Sequence, residues 1–184
     1  LWDPCAGSVT PWNTHLGSEE YPQDARLMET AATPADIDDD EVTGMARYFG
    51  LDPATMTMDE YRAAVNPYRY GFPTEIAVSE AGEPTVTKQH AMGRVSVELA
   101  NVMPDQKTAY ITDDGTNVGI FRFVADTAAD LSAGQLFAAK WVQTSGEGAG
   151  SATIKWIDLG HADNATIQSA IDKGTKFSDI FETA

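Results

Sequence analysis

Short runs of alternating apolar and polar residues, the pattern of β-strands, dominate the chain from Tyr68 onward. The predicted strands are Thr74–Ser79, Thr85–Lys88, Arg94–Leu99, Thr108–Thr112, Val118–Ala125, Gln135–Gln143 and Ala152–Leu159. The turn signals that separate them are Glu80–Pro84, Met103-Pro104-Asp105, Asp113-Asp114-Gly115, Ser132-Ala133-Gly134 and Gly146–Gly150. The pattern predicts a mainly β fold with helical insertions.

One of these strands carries apolar side chains on both faces: Ile120, Phe121, Phe123 and Val124. A strand of this kind is covered on both sides, as in stacked sheets. Strands and turns that recur in this way are typical of a β-propeller or a β-sandwich. Because a propeller needs about four blades or more, the strands of this chain would form only part of a ring.

Helical signals occur in an insertion at about residues 33–66. Thr33 before Pro34 places a good N-cap ahead of a proline at the first helical position. This predicts a helix over residues 34–49 that stops at Gly50. The capping box Thr57-Met58-Asp59-Glu60 predicts a second, shorter helix toward residue 65.

A second helical segment is predicted at about residues 163–183. Asp163 can cap a helix that runs through Lys173 and stops at Gly174, and Phe177–Thr183 favours a last short helix. Residues 1–32 are expected to be irregular, because prolines and glycines interrupt every regular period there.

The charge balance is strongly acidic: 12 basic residues face 28 acidic ones, for a formal net charge of −16. Such a surface repels phosphate backbones and makes nucleic acid a poor partner. The excess suits either solubility in a salty or extracellular setting or carboxylates that gather around hard cations such as calcium. One acidic run, Asp36, Asp38, Asp39, Asp40 and Glu41, lacks the glycine and the spacing of a calcium-binding EF-hand loop, so we expect a solvated helix face.

Cys5 is the single cysteine, so no disulfide forms within the chain, and a disulfide-stapled miniprotein is excluded. No apolar run reaches the roughly 18–20 residues that span a bilayer. The chain opens at Leu1 without a methionine or a signal peptide. We expect it to be a processed, cleaved or partial piece of a longer polypeptide.

The segment from Cys5 to Tyr21 is a candidate ligand-bearing loop, with a thiol at its start and the carboxylate pair Glu19-Glu20 near its end. A thiolate suits iron or another transition metal, and carboxylates suit iron and calcium. Taken singly, a lone cysteine is more often a small buried apolar residue, and a glutamate pair is more often exposed. His15 is likewise more typical of a packed or exposed histidine than of a ligand.

Two further acidic positions lie at strands. Apolar and small or polar residues alternate along the strand of Glu98, which places Glu98 on the same face as Ser96 and Ala100. Burying a carboxylate on that face is costly unless it has a hydrogen-bonding partner or binds a cation. A glutamate that is hydrogen-bonded within the protein, or exposed at the edge of a sheet, fits that position as well as a metal ligand does. Asp113 and Asp114 end a strand before a glycine. This pattern is above all typical of a turn, and it also leaves a cation site open.

Several kinds of catalytic site are excluded. The sequence has no G-x-S-x-G elbow, no P-loop and no nucleotide-binding glycine pattern. Its three histidines, at positions 15, 90 and 161, rule out an H-E-x-x-H zinc site. A hydrolase built on this chain would rely on metals with oxygen ligands.

Three candidate segments are the loop from Cys5 to Tyr21, the strand of Glu98 and the turn at Asp113-Asp114. In this order and spacing they resemble the PhoX alkaline phosphatase family of bacterial secreted phosphomonoesterases, and the resemblance covers most of the chain. Cys5-Ala6-Gly7 with Thr10-Pro11-Trp12 and Glu19-Glu20 is similar to the family's most recognisable motif, and Gly93-Arg94 ahead of Glu98 to its second. Tyr110 to Asp114, continuing into Ile120–Val124, resembles the third. Asp130–Gly134 through Trp141 is also similar to larger members of the family.

The resemblance implies a six-bladed propeller whose channel holds two iron and three calcium ions, and a phosphomonoester as substrate. Cys5 would bind iron, Glu98 would bind iron and calcium, and an aspartate of the pair Asp113 and Asp114 would bind calcium. Glu20, with Glu19 as the less certain candidate, would complete the loop's contribution. The resemblance also implies a secreted or periplasmic location.

The chain departs from the family at Val97, where a histidine often precedes the glutamate, and the family's later carboxylates and arginine would lie beyond Ala184. We therefore expect these 184 residues to hold a partial site, with the remaining blades supplied by other residues or chains. In isolation they are expected to be inactive and poorly folded. The alternative interpretation is a non-enzymatic, calcium-binding propeller that serves as an extracellular or cell-surface structural module. A calcium-dependent lactonase or esterase is a third class, which does not explain Cys5.

Overall fold

The structure, a computed structural model, describes residues 1–37, 39–116 and 118–182 and divides into two compact units. The first comprises residues 1–21 and 71–168, and the second comprises residues 22–70 and 169–184. No helix among the described residues is long and apolar enough to cross a membrane.

The first unit contains two antiparallel sheets, as a mainly β fold requires. One has the order β1-β2-β3-β4, with strands β1 (Ser8–Val9), β2 (His15–Gly17), β3 (Thr74–Val78) and β4 (Pro84–Lys88). The other has the order β5-β6-β7-β8-β9, with strands β5 (Val97–Val102), β6 (Thr108–Asp113), β7 (Ile120–Thr127), β8 (Asp130–Ser145) and β9 (Ser151–Asp163). Each strand of the second sheet pairs with its neighbour in sequence, so the sheet is a simple meander.

A buried apolar cluster lies at the centre of the first unit. Its members come from β2, from the 3-10 turn His90–Met92 and from β5 to β8: Leu16, Ala91, Met92, Val97, Ala100, Val102, Ala109, Ile111, Phe123, Ala125 and Leu131. The two faces of β7 have different surroundings. Phe123 is fully buried in the cluster, while Arg122 on the other face stacks on the rings of Phe137, at 4.4 Å, and Trp156, at 4.7 Å.

The second unit holds most of the helical residues: α1 (Ala25–Thr30), α2 (Asp39–Tyr48), α3 (Met58–Ala64) and the C-terminal part of α4 (Asn164–Asp172). The predicted caps are confirmed. The Thr57 hydroxyl accepts a hydrogen bond from the Glu60 amide while the Glu60 carboxylate accepts one from Thr57, and Asp163 accepts one from the Thr166 amide. In the first unit, the predicted strands Thr74–Ser79 and Thr85–Lys88 agree with β3 and β4 to within one residue at all four ends.

The prediction of one continuous helix over residues 34–49 is wrong, because the segment contains a 3-10 turn and a separate helix, α2. Thr33 does cap a helical start, but that start is a 3-10 turn, Pro34–Asp36, which ends at Ile37 in extended conformation. Ile37 is buried, so core packing interrupts the helix before α2 begins. The solvated acidic face expected at residues 36–41 stays a prediction, because the side chains of residues 38–41 lie outside the described part of the structure.

Two more predictions are wrong. Residues 1–32 are not wholly irregular, because they contain β1, β2 and α1, whose N-cap Asp24 accepts hydrogen bonds from two backbone amides. Ser132-Ala133-Gly134 is not a turn but part of β8. A Cβ atom on Gly134 would lie 2.4 Å from the Val124 carbonyl oxygen, so this glycine serves close strand packing instead.

The last predicted helix, Phe177–Thr183, is shorter than expected. It is a 3-10 turn over Phe177–Asp179, and Thr183 lies outside the described residues. The turn before it at Gly174, with φ of +79°, confirms the predicted end of α4.

Candidate metal centre

The N-terminal segment of the first unit is held against strand β5 by side-chain hydrogen bonds. The Ser8 hydroxyl donates to the Ala100 carbonyl at 2.7 Å, and the Ser18 hydroxyl donates to the Ala6 carbonyl at 2.7 Å. The amide of Tyr21 donates to the Ser96 hydroxyl at 2.9 Å. Both ends of the loop that carries Cys5 are thereby fixed beside the strand that carries Glu98.

Glu98 occupies a β-bulge in β5. The register pairs Val97 with Asp113 and then Leu99 with Thr112, so Glu98 has no partner residue on β6. The expected alternation of Ser96, Glu98 and Ala100 on one face is therefore wrong, because Val97 and Ala100 are both fully buried on either side of the bulge. A bulge redirects one side chain away from the regular pleat, and here it frees the glutamate from the core.

Three acidic side chains converge at this bulge. Ligand atoms of Cys5, Glu20 and Glu98 all lie within 4.8 Å of one another. The Cys5 sulfur is 3.9 Å from each Glu98 carboxylate oxygen, although 93 residues separate the two in sequence. Cys5 is exposed, and the two glutamates are half-buried. We call these three residues the acidic triad.

The surroundings of the acidic triad disfavour the ionised forms of two of its members, Cys5 and Glu20. The pKa of the Cys5 thiol is raised, chiefly because the thiol donates a hydrogen bond to Glu20. Partial desolvation and, to a smaller extent, the charges of Glu20 and Glu98 raise it further. The bond from Cys5 lowers the pKa of Glu20, but partial desolvation and the charges of Glu98 and Asp114 outweigh it, so that pKa is raised. The charges that raise the pKa values of Cys5 and Glu20 are thus those of neighbouring carboxylates.

Asp113 and Asp114 lie at the edge of the acidic triad rather than in it. The Asp113 carboxylate accepts a hydrogen bond from the Ser96 amide at 2.9 Å, and partial burial raises its pKa. The carboxylate of Asp114 accepts a short hydrogen bond from the Tyr21 hydroxyl, which raises the pKa of Tyr21 to about 12. The charge of Asp114 still acts on Glu20, so the pair extends the acidic surface around the triad.

Glu19 has a different environment from its neighbour Glu20. It is fully buried, and its carboxylate forms an ion pair with Lys88 at 2.7 Å. It also accepts hydrogen bonds from the backbone amides of Trp2, Gly71 and Phe72. The structure thus separates the two glutamates that the sequence leaves equivalent.

Sequence reasoning missed the residues that support this arrangement. Ser96 connects the loop that ends at Tyr21 with the turn at Asp113 and Asp114. Its hydroxyl accepts a hydrogen bond from the Tyr21 amide, its amide donates to the Asp113 carboxylate, and its carbonyl accepts from the Asp114 amide at 2.9 Å. Lys88 gives no local signal, since a lysine at the end of a short strand is ordinary. Of these residues, only Tyr21 had a signal in the sequence, because it directly follows the carboxylate pair Glu19-Glu20.

The donor set of the acidic triad fits a metal cluster. It combines one sulfur, which suits iron, with carboxylate oxygens, which suit both iron and calcium. A nearby cation would reverse the raised pKa values, because it favours the thiolate and the carboxylate forms. His15 lies outside the triad: it is exposed on β2, and its ring covers Gly7 so closely that a Cβ there would lie 2.3 Å from it.

Comparison with known proteins identifies the family of the chain. The family model described as alkaline phosphatase PhoX matches residues 2–182. No curated protein and no solved structure shows significant similarity to the chain. The match covers nearly all of the chain, including the loop of Cys5, the bulge at Glu98 and the turn at Asp113. The chain belongs to the PhoX alkaline phosphatase family.

Proposed function

We propose that this protein is a phosphomonoester hydrolase that uses an iron–calcium cluster, with Cys5, Glu20 and Glu98 among the metal ligands. The observation that carries the proposal is the convergence of one thiol and two carboxylates, from distant parts of the chain, within 4.8 Å. Membership of a phosphatase family gives the reaction class.

Each ligand has a distinct part in the proposal. The exposed Cys5 thiolate would bind iron, and Glu98, which the bulge turns away from the core, would bind iron and calcium. Glu20 would complete the set from the loop. Asp113 and Asp114, at the edge of the triad, would bind calcium.

The bound cations would stabilise negative charge on the phosphoryl group and lower the pKa of a bound water, as metal ions do in many hydrolases. The protein's own residues hold the ligands in position. The hydrogen bond from Tyr21 orients Asp114, and Ser96 fixes the loop beside β5. An acidic protein could in this way bind an anionic substrate, because the local field would be that of the cations.

We further propose that the two sheets are blades of a propeller, six-bladed when complete. Their support is the antiparallel meander of β5 to β9, which is how propeller blades are built. The remaining blades, with further carboxylates and an arginine for the phosphate, would come from residues or chains other than these. A structure of the natural polypeptide in which these strands form a single open sheet or a β-sandwich would contradict the propeller.

A location outside the cytoplasm, in the periplasm or beyond the cell, is part of the same proposal. Its support is the net charge of −16, which suits solubility in a salty setting. Fractionation of the source cells, followed by detection with an antibody, would place the protein. Recovery in the cytoplasmic fraction alone would contradict export.

The decisive experiment is metal analysis of the natural polypeptide that carries this sequence, together with hydrolysis of p-nitrophenyl phosphate. We expect iron and calcium together, and loss of both iron and turnover in Cys5→Ser, because a hydroxyl is a much poorer iron ligand than a thiolate. The 184 residues alone should show no turnover. Neither metal in the natural polypeptide would contradict the proposal.

The second candidate is a calcium-binding structural module without catalytic activity. Val97 favours it, since a fully buried valine stands where the family often has a histidine. Calcium without iron, together with no hydrolysis of p-nitrophenyl phosphate, would identify this function. Iron retained at Cys5 would exclude it.

A further inference from the structure

The two adjacent glutamates of the loop have opposite environments, and this contrast assigns them different roles. Glu20 joins Cys5 and Glu98 at a half-buried, partly solvated position. Glu19 has no exposed surface at all. A buried carboxylate is costly unless it is paired and hydrogen-bonded, so the partners of Glu19 show what the protein uses it for.

The carboxylate of Glu19 is saturated with donors. Its Oε1 accepts from the Trp2 amide at 2.9 Å and from the Lys88 ammonium at 2.7 Å. Its Oε2 accepts from the Gly71 amide at 3.0 Å, the Phe72 amide at 3.3 Å and the Lys88 ammonium at 2.9 Å. A carboxylate offers about four lone-pair sites, so these contacts leave none for a cation.

The same residue ties together the segments that carry the acidic triad. The backbone carbonyl of Glu19 accepts from the amide of Val97, the neighbour of Glu98, at 3.0 Å. The amide of Glu20 donates to the Asp3 carbonyl at 3.0 Å. The bond from Trp2 to Glu19 adds a second tie to the segment that leads into Cys5.

We propose that the ion pair between the buried Glu19 and the half-buried Lys88 positions the proposed metal centre, and that Glu19 is not a metal ligand. The pair fixes the loop from inside the unit, so that Glu20 and the Cys5 segment stay against Glu98 in spite of their mutual repulsion. The inference rests on the proposed function for the metal, but the positioning itself exists without metal.

The test compares Glu19→Gln with a matched control, Glu75→Gln, in the natural polypeptide. Glu75 lies in the same unit, and its carboxylate also accepts several bonds, from Trp12, Thr14 and Gln89, but none of these reaches the acidic triad. Both variants are expected to lower the stability of the metal-free protein. They should differ in how they affect the metal centre.

We expect Glu19→Gln to weaken iron and calcium binding by about 10-fold, the lower end of the effect of changes outside the ligands themselves, because Glu19 contacts the backbone of the ligand-bearing segments and not the ligand side chains. Glu75→Gln should leave both affinities unchanged. At saturating metal, Glu19→Gln should keep the wild-type stoichiometry and the visible absorption of an iron–thiolate bond. Loss of one metal ion at saturation would show that Glu19 is a ligand. Unchanged affinity in a folded Glu19→Gln protein would overturn the positioning role.

Amide hydrogen exchange of the metal-free protein separates this inference from the proposed function. In Glu19→Gln, the amides of Glu20 and Val97 should exchange faster, and in Glu75→Gln they should not. If the wild-type protein binds no iron, the proposed function fails, yet these two amides still decide the positioning role. If Glu19→Gln does not fold, the double variant Glu19→Gln with Lys88→Met avoids leaving the half-buried lysine without its acidic partner, and the same two measurements apply to it.

Discussion

Two carboxylate sites in the first unit differ in what surrounds them. Glu75 accepts hydrogen bonds from the Trp12 indole at 2.7 Å, the Thr14 hydroxyl at 2.6 Å and the Gln89 amide at 2.7 Å, so its charge is met by donors. The acidic triad instead brings a thiol and two carboxyl groups together, and the pKa values of Cys5 and Glu20 rise as a result. A carboxylate met by donors holds the fold together, whereas acids gathered against each other indicate a place for a cation.

The strongest test of this contrast is Glu98→Gln. The amide keeps the shape of the side chain but removes the charge that two kinds of cation would share, so we expect phosphatase activity to fall by about 100-fold or more. Hydrolysis of p-nitrophenyl phosphate by the natural polypeptide, with metal content measured alongside, gives the result. Activity and metal content at the wild-type level would remove Glu98 from the centre.

Metal removal should have the next largest effect. A ligand that binds only the folded state, at 100 times its dissociation constant, stabilises the protein by about 2.7 kcal/mol. For a chain of this size that corresponds to roughly 5–10 °C in Tm. Calorimetry with and without a chelator measures it, and an unchanged Tm would mean that the gathered acids tolerate one another without cations.

Glu75→Gln tests the other half of the comparison. It leaves three donors without their shared anionic acceptor, and we expect a loss of about 1–3 kcal/mol in the free energy of unfolding. Urea unfolding of the metal-free protein measures the loss. A change in metal affinity in this variant would show that the two sites are coupled, against the contrast drawn between them.

Glu20→Gln should have the smallest effect, and one of opposite sign. In the metal-free protein, it removes repulsion with Glu98 and Asp114, so we expect a gain of roughly 0.2–1 kcal/mol near neutral pH. Because the pKa of folded Glu20 is raised, its destabilising contribution exists above that pKa and disappears as the pH falls through it. Urea unfolding at several pH values would show the gain shrink in acid. A loss of stability at neutral pH would mean that Glu20 has a favourable partner without metal.

Local signals predicted much of the secondary structure. The capping box at Thr57, the N-cap position of Thr33 and the cap at Asp163 formed as expected, because each depends on residues within three positions of one another. Predictions failed where distant contacts decide: Ile37 is drawn into the core and interrupts a helix, and Gly134 packs against a neighbouring strand rather than forming a turn.

The composition and motifs of the sequence determined the family and the acidic character, and residue type, which sets the metal that a side chain can bind, gave six candidate ligands: Cys5, Glu19, Glu20, Glu98, Asp113 and Asp114. Only the tertiary structure decided which acids meet. The bulge at Glu98 arises from a register shift against β6, and the separation of Glu19 from Glu20 depends on Lys88, which is 69 residues away. Neither leaves a local pattern, because burial and strand register depend on contacts between segments far apart in the chain.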